Sequence, residues 1–411
     1  MTKKRKQKQG IHDQKIIAAR HKNEFMARLK YYIDLWLGKG SFDMLPEVDK
    51  RVIYKMRYTS MRLAPAPGIA LKAGLLDKMK STLHAFMNIT RYNTPAGDSI
   101  SFYEFNIYYM TVHHGIGSLL QLEDSGMKEL KERYHRFIAW DKDALKWANR
   151  NLDLISFILG NLYSTPDKKY YWFDIRDYFG SKEGAGNYKI LEIHTQEPVV
   201  TEIEVNDDRR PAYKLGYPAL HTGIKWFRVK PPDAGVIKWQ KEYEVYIQAH
   251  ALQRIMERID CITESHVVMQ IFFSLFDPDI IYENGRMLLA YDFESQSRIG
   301  YFVADVVEGK LLLRTFLFIT NEGTPEARKL AEISGLCKLD VKYWKIDKLS
   351  TFLKSDIVLK PEIKKIFMDA GCGGLFNLSL EGPDIYSGKL HVADQMMRYL
   401  AIEEKGISSF K

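Results

Sequence analysis

Residues 279–291, DIIYENGRMLLAY, carry the strongest structural signal in this 411-residue chain. Asn284-Gly285 stands between two runs of alternating apolar residues, and this dipeptide favours the positive φ angles of a two-residue hairpin turn. A second segment, IGYFVADVVEGKLLLRTFLFI (299–319), has the same character and turns at Glu308-Gly309. The two hairpins predict an antiparallel meander of four strands.

The sequence before the meander predicts one strand and two helices. The strand is EYEVYI (242–247), and the first helix contains HALQRIMERI (250–259). Thr263 is placed to cap a second helix, ESHVVMQIFFSLF (264–276), which Pro278 ends. The order strand, helix, helix, meander therefore predicts a small α+β domain over residues 243–319.

The rest of the chain divides into regions of different pattern. Apolar residues three and four apart predict a helical domain over residues 11–164, with Gly38 ending its first helix. Short runs rich in β-branched and aromatic residues predict a strand-rich region over 165–242. Thr324 and Pro325 begin the C-terminal helices of residues 320–411. The expected fold class is α+β.

The basic charge of the chain is concentrated at its N-terminus. Positions 1–30 hold ten Lys or Arg and two acidic residues, and the remaining positions hold 50 of each sign. Residues 1–10, MTKKRKQKQG, are expected to form a disordered basic arm. Such an arm either binds nucleic acid or another anionic surface through charge, or simply keeps the chain soluble.

Several classes of protein do not fit the sequence. The N-terminus lacks the apolar segment of a secretory signal, and the longest charge-free run, 105–122, contains two His and two Gly, which disfavours a membrane span. We therefore expect a cytoplasmic protein without a membrane partner. Three scattered cysteines predict neither a disulfide framework nor a zinc site. The many aromatic residues fit either large cores or base-stacking surfaces.

The helix from residue 250 carries a polar ridge. His250, Arg254 and Arg258 recur at intervals of four, so they share one face. The opposite face is apolar and is expected to be buried, through Leu252, Ile255, Met256 and Ile259. Arginines one turn from an imidazole suit a phosphodiester, since guanidinium groups bind the anion and His transfers protons. The alternative is the ordinary exposed side of a surface helix.

Arg314 is a further candidate, on the last strand of the meander. It is expected to share a face with Phe316 and Phe318, so that its charge needs a partner. A two-residue turn at Glu308-Gly309 places Asp305 opposite Leu312, diagonal to Arg314, which favours an ion pair. Two residues beside the middle loop of the meander are expected at a rim open to substrate contacts: Tyr291 and Arg298.

The order of elements, with HALQRIMERID on the first helix and LLLRTFLFIT on the last strand, resembles the small RelE/BrnT-type toxin fold. The resemblance covers residues 243–319 and rests on a His-Ala-Leu-x-Arg-x-x-Glu-Arg motif. It implies a metal-independent RNA-cleaving surface, to which this chain would contribute His250, Arg254, Arg258 and Arg314.

Two functional hypotheses follow. The first is a non-catalytic binding protein whose partner is nucleic acid (RNA) or another protein. The alternative is metal-independent cleavage of RNA by the His250 ridge. No cofactor is expected, and no metal either, because Glu132-x-x-His135 is a single half of a carboxylate di-metal motif.

Overall fold

The computed structural model describes residues 2–120, 127–180, 186–205, 208–233, 239, 241–293, 297–378, 393 and 395–400. The chain contains helices and strands in the α+β arrangement predicted from its sequence. It divides into two compact units, the first formed by residues 1–159 with 172–194, the second by 160–171 with 195–411. Both units draw on the region 165–242, which the sequence had suggested as a separate segment.

The first unit is mainly helical. Two π-helical segments, Phe105–Tyr109 and Thr111–Ile116, lie between α4 and α5. Its elements, in chain order, are α1 Thr2–Leu37, α2 Glu47–Met56, β1 Arg62–Pro65, α3 Leu75–Ile89, β2 Arg91–Asn93, β3 Ser99–Ser101, α4 Phe102–Glu104, α5 Gly117–Leu120, α6 Lys128–Trp140, α7 Ala144–Tyr163, β4 Tyr170–Tyr178 and β5 Tyr188–Gln196.

Helix α1 differs from the sequence prediction at its start. Residues 2–10, expected as a disordered arm, have helical backbone continuous with the rest of α1. The reason is that Lys, Arg and Gln are all good helix formers, and no Pro interrupts the run. The predicted end is confirmed, because Gly38 follows Leu37 with a φ of 103°.

The core of the first unit is aromatic. Trp36 of α1 stacks on Tyr32 and on Phe137 of α6, with ring centroids 4.7 and 5.9 Å apart. Tyr109 stacks on Phe105 at 4.3 Å and is fully buried. These aromatic residues fill a core, as one of the two interpretations of the composition required. A three-stranded sheet in the order β1-β5-β4 completes the unit.

The second unit is built on one large sheet. The strand order is β12-β13-β14-β15-β11-β7-β6, with β10 pairing to β11. Its elements are β6 Val200–Val205, β7 Asp208–Lys214, β8 Gly216–Ala219, β9 Gly223–Trp226, β10 Arg228–Val229, β11 Tyr243–Gln248, α8 Ala249–Arg258, α9 Glu264–Phe276, β12 Ile280–Glu283, β13 Arg286–Phe293, β14 Ser297–Val307, β15 Lys310–Phe318, α10 Pro325–Ser334, α11 Lys338–Tyr343, α12 Leu349–Lys354 and α13 Pro361–Asp369.

The predicted order of residues 243–319 is confirmed. Strands β12 to β15 form the antiparallel meander, and β11 pairs in parallel with β15. Both predicted turns have positive φ at their central residues, 50° and 75° at Asn284-Gly285 and 48° and 71° at Glu308-Gly309. Helix α8 packs on β15 and α9 on β13, which buries the aromatic cluster of Tyr291, Phe302 and Phe316.

A β-bulge interrupts the pairing of β14 with β15. Val303 lies opposite Thr315, but the next residue, Ala304, lies opposite Leu313, so Arg314 is the extra residue on β15. The regular alternation expected for this strand therefore fails at Arg314. It lies beside Thr315 and Leu317 in a surface concavity, and not on the face of Phe316 and Phe318.

Candidate functional site

Strand β11 and helix α8 position the first group of polar side chains. The strand ends at Gln248, which is also the N-cap residue of α8, so His250 lies in the first helical turn and is exposed. Leu252, Ile255 and Ile259 are buried, as the amphipathic pattern predicted. Since the apolar side of α8 is held against the sheet, the ridge of His250 and the arginines is directed outward.

His250 lines two neighbouring concavities, which together we call the basic cleft. The first has a volume of about 360 Å³ and is lined by Arg210, Gln248, His250, Arg286, Val303, Arg314, Thr315 and Leu317. The second has a volume of about 260 Å³ and is lined by His250, Arg254, Arg258, Thr315, Phe316, Leu317, Asn321, Glu322, Lys338, Val341 and Lys342. The two concavities adjoin each other, since both are lined by His250, Thr315 and Leu317.

The four residues proposed from sequence as catalytic therefore come together in the cleft, but most already have an acidic partner. Arg314 Nη1 is 2.6 Å from Asp305 Oδ2, which confirms the predicted pair. Arg254 pairs with Glu257 at 2.8 Å. Among the residues that the structure describes, His250 has neither a hydrogen bond nor an ion pair.

Arg258 has a structural role. Its guanidinium pairs with Asp347, whose side chain is 5% exposed, and so connects the end of α8 to the segment before α12. A buried carboxylate that loses such a partner is strongly destabilising. Of the arginine ridge, Arg254 is thus the residue whose charge is most available to a ligand, with its side chain 42% exposed.

Glu257 is held in its charged form. Burial alone would raise the pKa of this carboxyl, but hydrogen bonds from Arg254 and Gln253, with the nearby charge of Arg258, lower it overall. Lys338 likewise lowers the pKa of Glu322, which it contacts at 2.9 Å. Neither carboxylate is arranged to act as a proton donor near neutral pH.

Sequence reasoning missed several residues of the cleft. Arg286 and Lys342 line it with no ion-pair partner anywhere in the described part of the chain. Arg210, on β7, pairs with Asp208 at 2.9 Å on the exposed surface. A signal existed for Arg286 alone: it follows the Asn284-Gly285 turn and lies two residues from Leu288, so the alternation of β13 predicts its face.

The prediction that Tyr291 lies at a rim open to substrate contacts is wrong. Its side chain is fully buried, its hydroxyl donates to the Val267 carbonyl at 3.2 Å, and burial raises its pKa. The face of β13 that carries Tyr291 packs on α9, which the local sequence around the loop did not indicate.

Arg298 also lies outside the cleft. Its guanidinium contacts Asp292, Asp279 and the Tyr301 hydroxyl, the last two at 2.7 and 3.0 Å. Burial would lower its pKa, but these acceptors raise it overall. The Tyr301 hydroxyl in turn donates a hydrogen bond to the Glu326 carboxylate of α10, at 2.8 Å. These contacts stabilise the sheet. They also occupy the N–H groups of Arg298 that would otherwise be available to bind a substrate.

Neither a metal centre nor a membrane span is found in the described residues. They include no group of three or more His, Cys, Asp or Glu side chains that could hold a metal ion. None of their helices combines the length and the apolar character needed to cross a bilayer.

No family model matches the chain, no curated protein matches it, and no solved structure matches it.

Proposed function

We propose that the second unit binds nucleic acid through the basic cleft. One observation carries the proposal: seven Arg or Lys side chains and His250 line the cleft, against a single carboxylate, that of Glu322. This charge is local, because the chain beyond position 30 has equal numbers of basic and acidic residues. Concentrated positive charge in a concave surface attracts and holds phosphates.

The shape of the cleft favours a chain of phosphates over a single anion. Two cation-lined concavities that share His250, Thr315 and Leu317 can each take one phosphate of a continuous backbone. Guanidinium groups bind phosphate with two parallel hydrogen bonds, and the cleft holds five of them. Backbone contacts of this kind give affinity without sequence preference.

The existing ion pairs limit the affinity that we expect for nucleic acid. Five of the seven cations have a carboxylate partner, so a phosphate must share or displace that partner. A phosphate can bind Arg286 and Lys342 without displacing a carboxylate from an ion pair. We expect modest affinity that falls steeply as salt rises.

The test is fluorescence anisotropy with single-stranded and double-stranded RNA and DNA over a range of salt concentrations. Changing Arg286 and Lys342 to Gln together should weaken binding about tenfold or more. The slope of the logarithm of the binding constant against the logarithm of the salt concentration should also become shallower, by about one unit per lost contact. Lys225→Gln, on the exposed surface of β9 away from the cleft, is the matched control. Equal binding by the cleft variant and the control would refute the proposal.

Cleavage of RNA is the second candidate. It is favoured by the position of His250, which belongs to both concavities, is exposed and has no partner among the described residues. An imidazole gains and loses protons near neutral pH, and Arg254 and Arg314 would balance the charge of the transition state. Binding is better supported, because the carboxylates beside the cleft are engaged with cations, and the described residues that line the cleft include no second proton carrier without a partner.

The two candidates differ in whether the unaltered protein cleaves RNA and in what His250→Ala does to that cleavage. If the cleft cleaves RNA, product should accumulate in the presence of a chelator, and His250→Ala should abolish it while binding changes little. If the cleft only binds, no cleavage will be seen with the unaltered protein, and His250→Ala will weaken binding slightly.

A further inference from the structure

We propose that the first concavity is a subsite for a terminal phosphate, so that the protein recognises the phosphorylated end of a nucleic-acid strand. This inference rests on the proposed nucleic-acid binding and adds the part of the ligand that is recognised. It depends on three features of the concavity: a buried amide, the start of α8, and the unpaired cation Arg286.

The buried amide belongs to Gln248. Its side chain lines the first concavity, yet the residue is only 4% exposed. Its Nε2 atom is buried and has no hydrogen-bond partner within the described residues. A buried donor without a partner costs about 1–3 kcal/mol, so its presence beside a cavity is explained if a ligand oxygen accepts from it.

The start of α8 supplies further donors. Gln248 is the N-cap residue of this ten-residue helix, and no side chain caps its first turn. The backbone N–H groups of an uncapped first turn are free to bind an anion, which the helix dipole also favours. His250 lies in the same turn and faces the same concavity.

Arg286 completes the set from the opposite side. It begins β13, four strands from β7 in the sheet order, and the concavity lies on the strands between them. Unlike Arg314 and Arg210, it forms no ion pair among the described residues, although its charge attracts the nearby Glu322 carboxylate. Its guanidinium can therefore bind a phosphate without breaking an existing pair.

The number of donors indicates a terminal phosphate over an internal one. An internal phosphodiester offers two free oxygens and one negative charge, whereas a terminal phosphate offers three oxygens and about two charges. The Gln248 amide, the first turn of α8, His250 and Arg286 are four separate sources of donors, enough to serve all three oxygens of a terminal phosphate. The second concavity, adjacent to the first, would then hold the phosphates that follow.

The experiment uses the full chain and short single-stranded RNAs of one sequence with a 5′-phosphate, a 3′-phosphate, or hydroxyl groups at both ends. We expect one phosphorylated form to bind about tenfold more tightly than the hydroxyl form. Gln248→Met should abolish this difference without lowering the melting temperature, because it removes a donor that has no partner. Lys342→Gln, in the second concavity, should weaken all three RNAs alike and keep the difference.

Each outcome has a distinct meaning. If the three RNAs bind equally and Lys342→Gln weakens them all, the terminal-phosphate subsite is wrong and the proposed nucleic-acid binding stands. If none binds, the proposed function itself fails. If Gln248→Met lowers the melting temperature and leaves the preference intact, Gln248 is structural and the subsite assignment is overturned.

Discussion

Arg314 shows how one residue acquires a position that its sequence neighbours do not predict. As the extra residue of a bulge, it leaves the aromatic face of β15 and enters the cleft beside Thr315. Its carboxylate partner Asp305 is part-exposed, so the pair contributes at most about 1 kcal/mol to stability. Arg314 can therefore exchange this partner for a phosphate at small cost.

Asp305 should act as a competitor of the ligand. Asp305→Asn removes a negative charge from the side of the cleft and is expected to tighten RNA binding roughly threefold, whereas Arg314→Gln weakens it about tenfold. Anisotropy at low and high salt measures both. Glu308→Gln, which removes an equal charge at the hairpin turn, is the control. Weaker binding by Asp305→Asn would mean that the pair holds Arg314 in its active position.

At the scale of the element, the sequence predicted the hairpin turns and the pairing next to them, but not the bulge farther along the strands. The turns at Asn284-Gly285 and Glu308-Gly309 need only two residues, so the sequence predicts them directly. The bulge depends on how β15 fits both β14 and β11, and the arrival of Arg210 depends on β7, far away in the sequence. Helix α8 therefore predicted His250, Arg254 and Arg258, whereas the other basic residues of the cleft are brought to it by the completed sheet and by α11.

Gly300 should be essential to the pairing of β14 with β15. A Cβ atom at this position would lie 2.2 Å from the Leu317 carbonyl oxygen, so Gly300→Ala is expected to cost at least about 2 kcal/mol. Gly285→Ala meets no atom within 4 Å and suffers only from its φ of 75°, a cost of about 1 kcal/mol. Urea unfolding compares the two, and equal losses would contradict the steric explanation.

The π-helical segment Thr111–Ile116, which contains His113, should make the first unit sensitive to acid. Burial, followed by the neighbouring His114, lowers the pKa of His113 from 6.5 to about 4. Stability from the neutral imidazole is therefore complete above pH 6.5 and is lost as the pH falls toward 4.

His113→Gln should remove about 2 kcal/mol of the stability difference between pH 7 and pH 5, measured by denaturant unfolding. His135→Gln, at an exposed position of α6, is the control and should leave the difference unchanged. An unchanged difference in His113→Gln would show that the residue is protonated in the folded state at pH 5.

At the scale of the whole molecule, the chain crosses between its units in a way that its composition did not indicate. The expected boundary near residue 164 separates β1 from β5, although Arg62 to Pro65 pair in parallel with Ile190 to Ile193. Asn187 also donates to the Met56 carbonyl at 2.8 Å. A helical domain ending at 164 would lack the strands that cover β1.

Two fragments should therefore behave differently. Residues 1–196 are expected to unfold in one cooperative thermal transition, since they contain every strand of the β1-β5-β4 sheet. Residues 1–164 should bind a hydrophobic dye and show no sharp transition, because Leu63 loses its cover. Circular dichroism and dye fluorescence make the comparison. Cooperative unfolding of the shorter fragment would restore the simpler boundary.

The parallel pairing of β11 with β15 has a consequence for synthesis on the ribosome. Strand β11 and helix α8 leave the ribosome before the meander does, but their partner β15 is the last strand of the meander. At ordinary elongation rates this partner follows on the order of several seconds later. During that interval the apolar side of α8, with Leu252 and Ile255, has no β15 to cover it. Nascent chains should therefore engage chaperones most strongly while the meander is being translated.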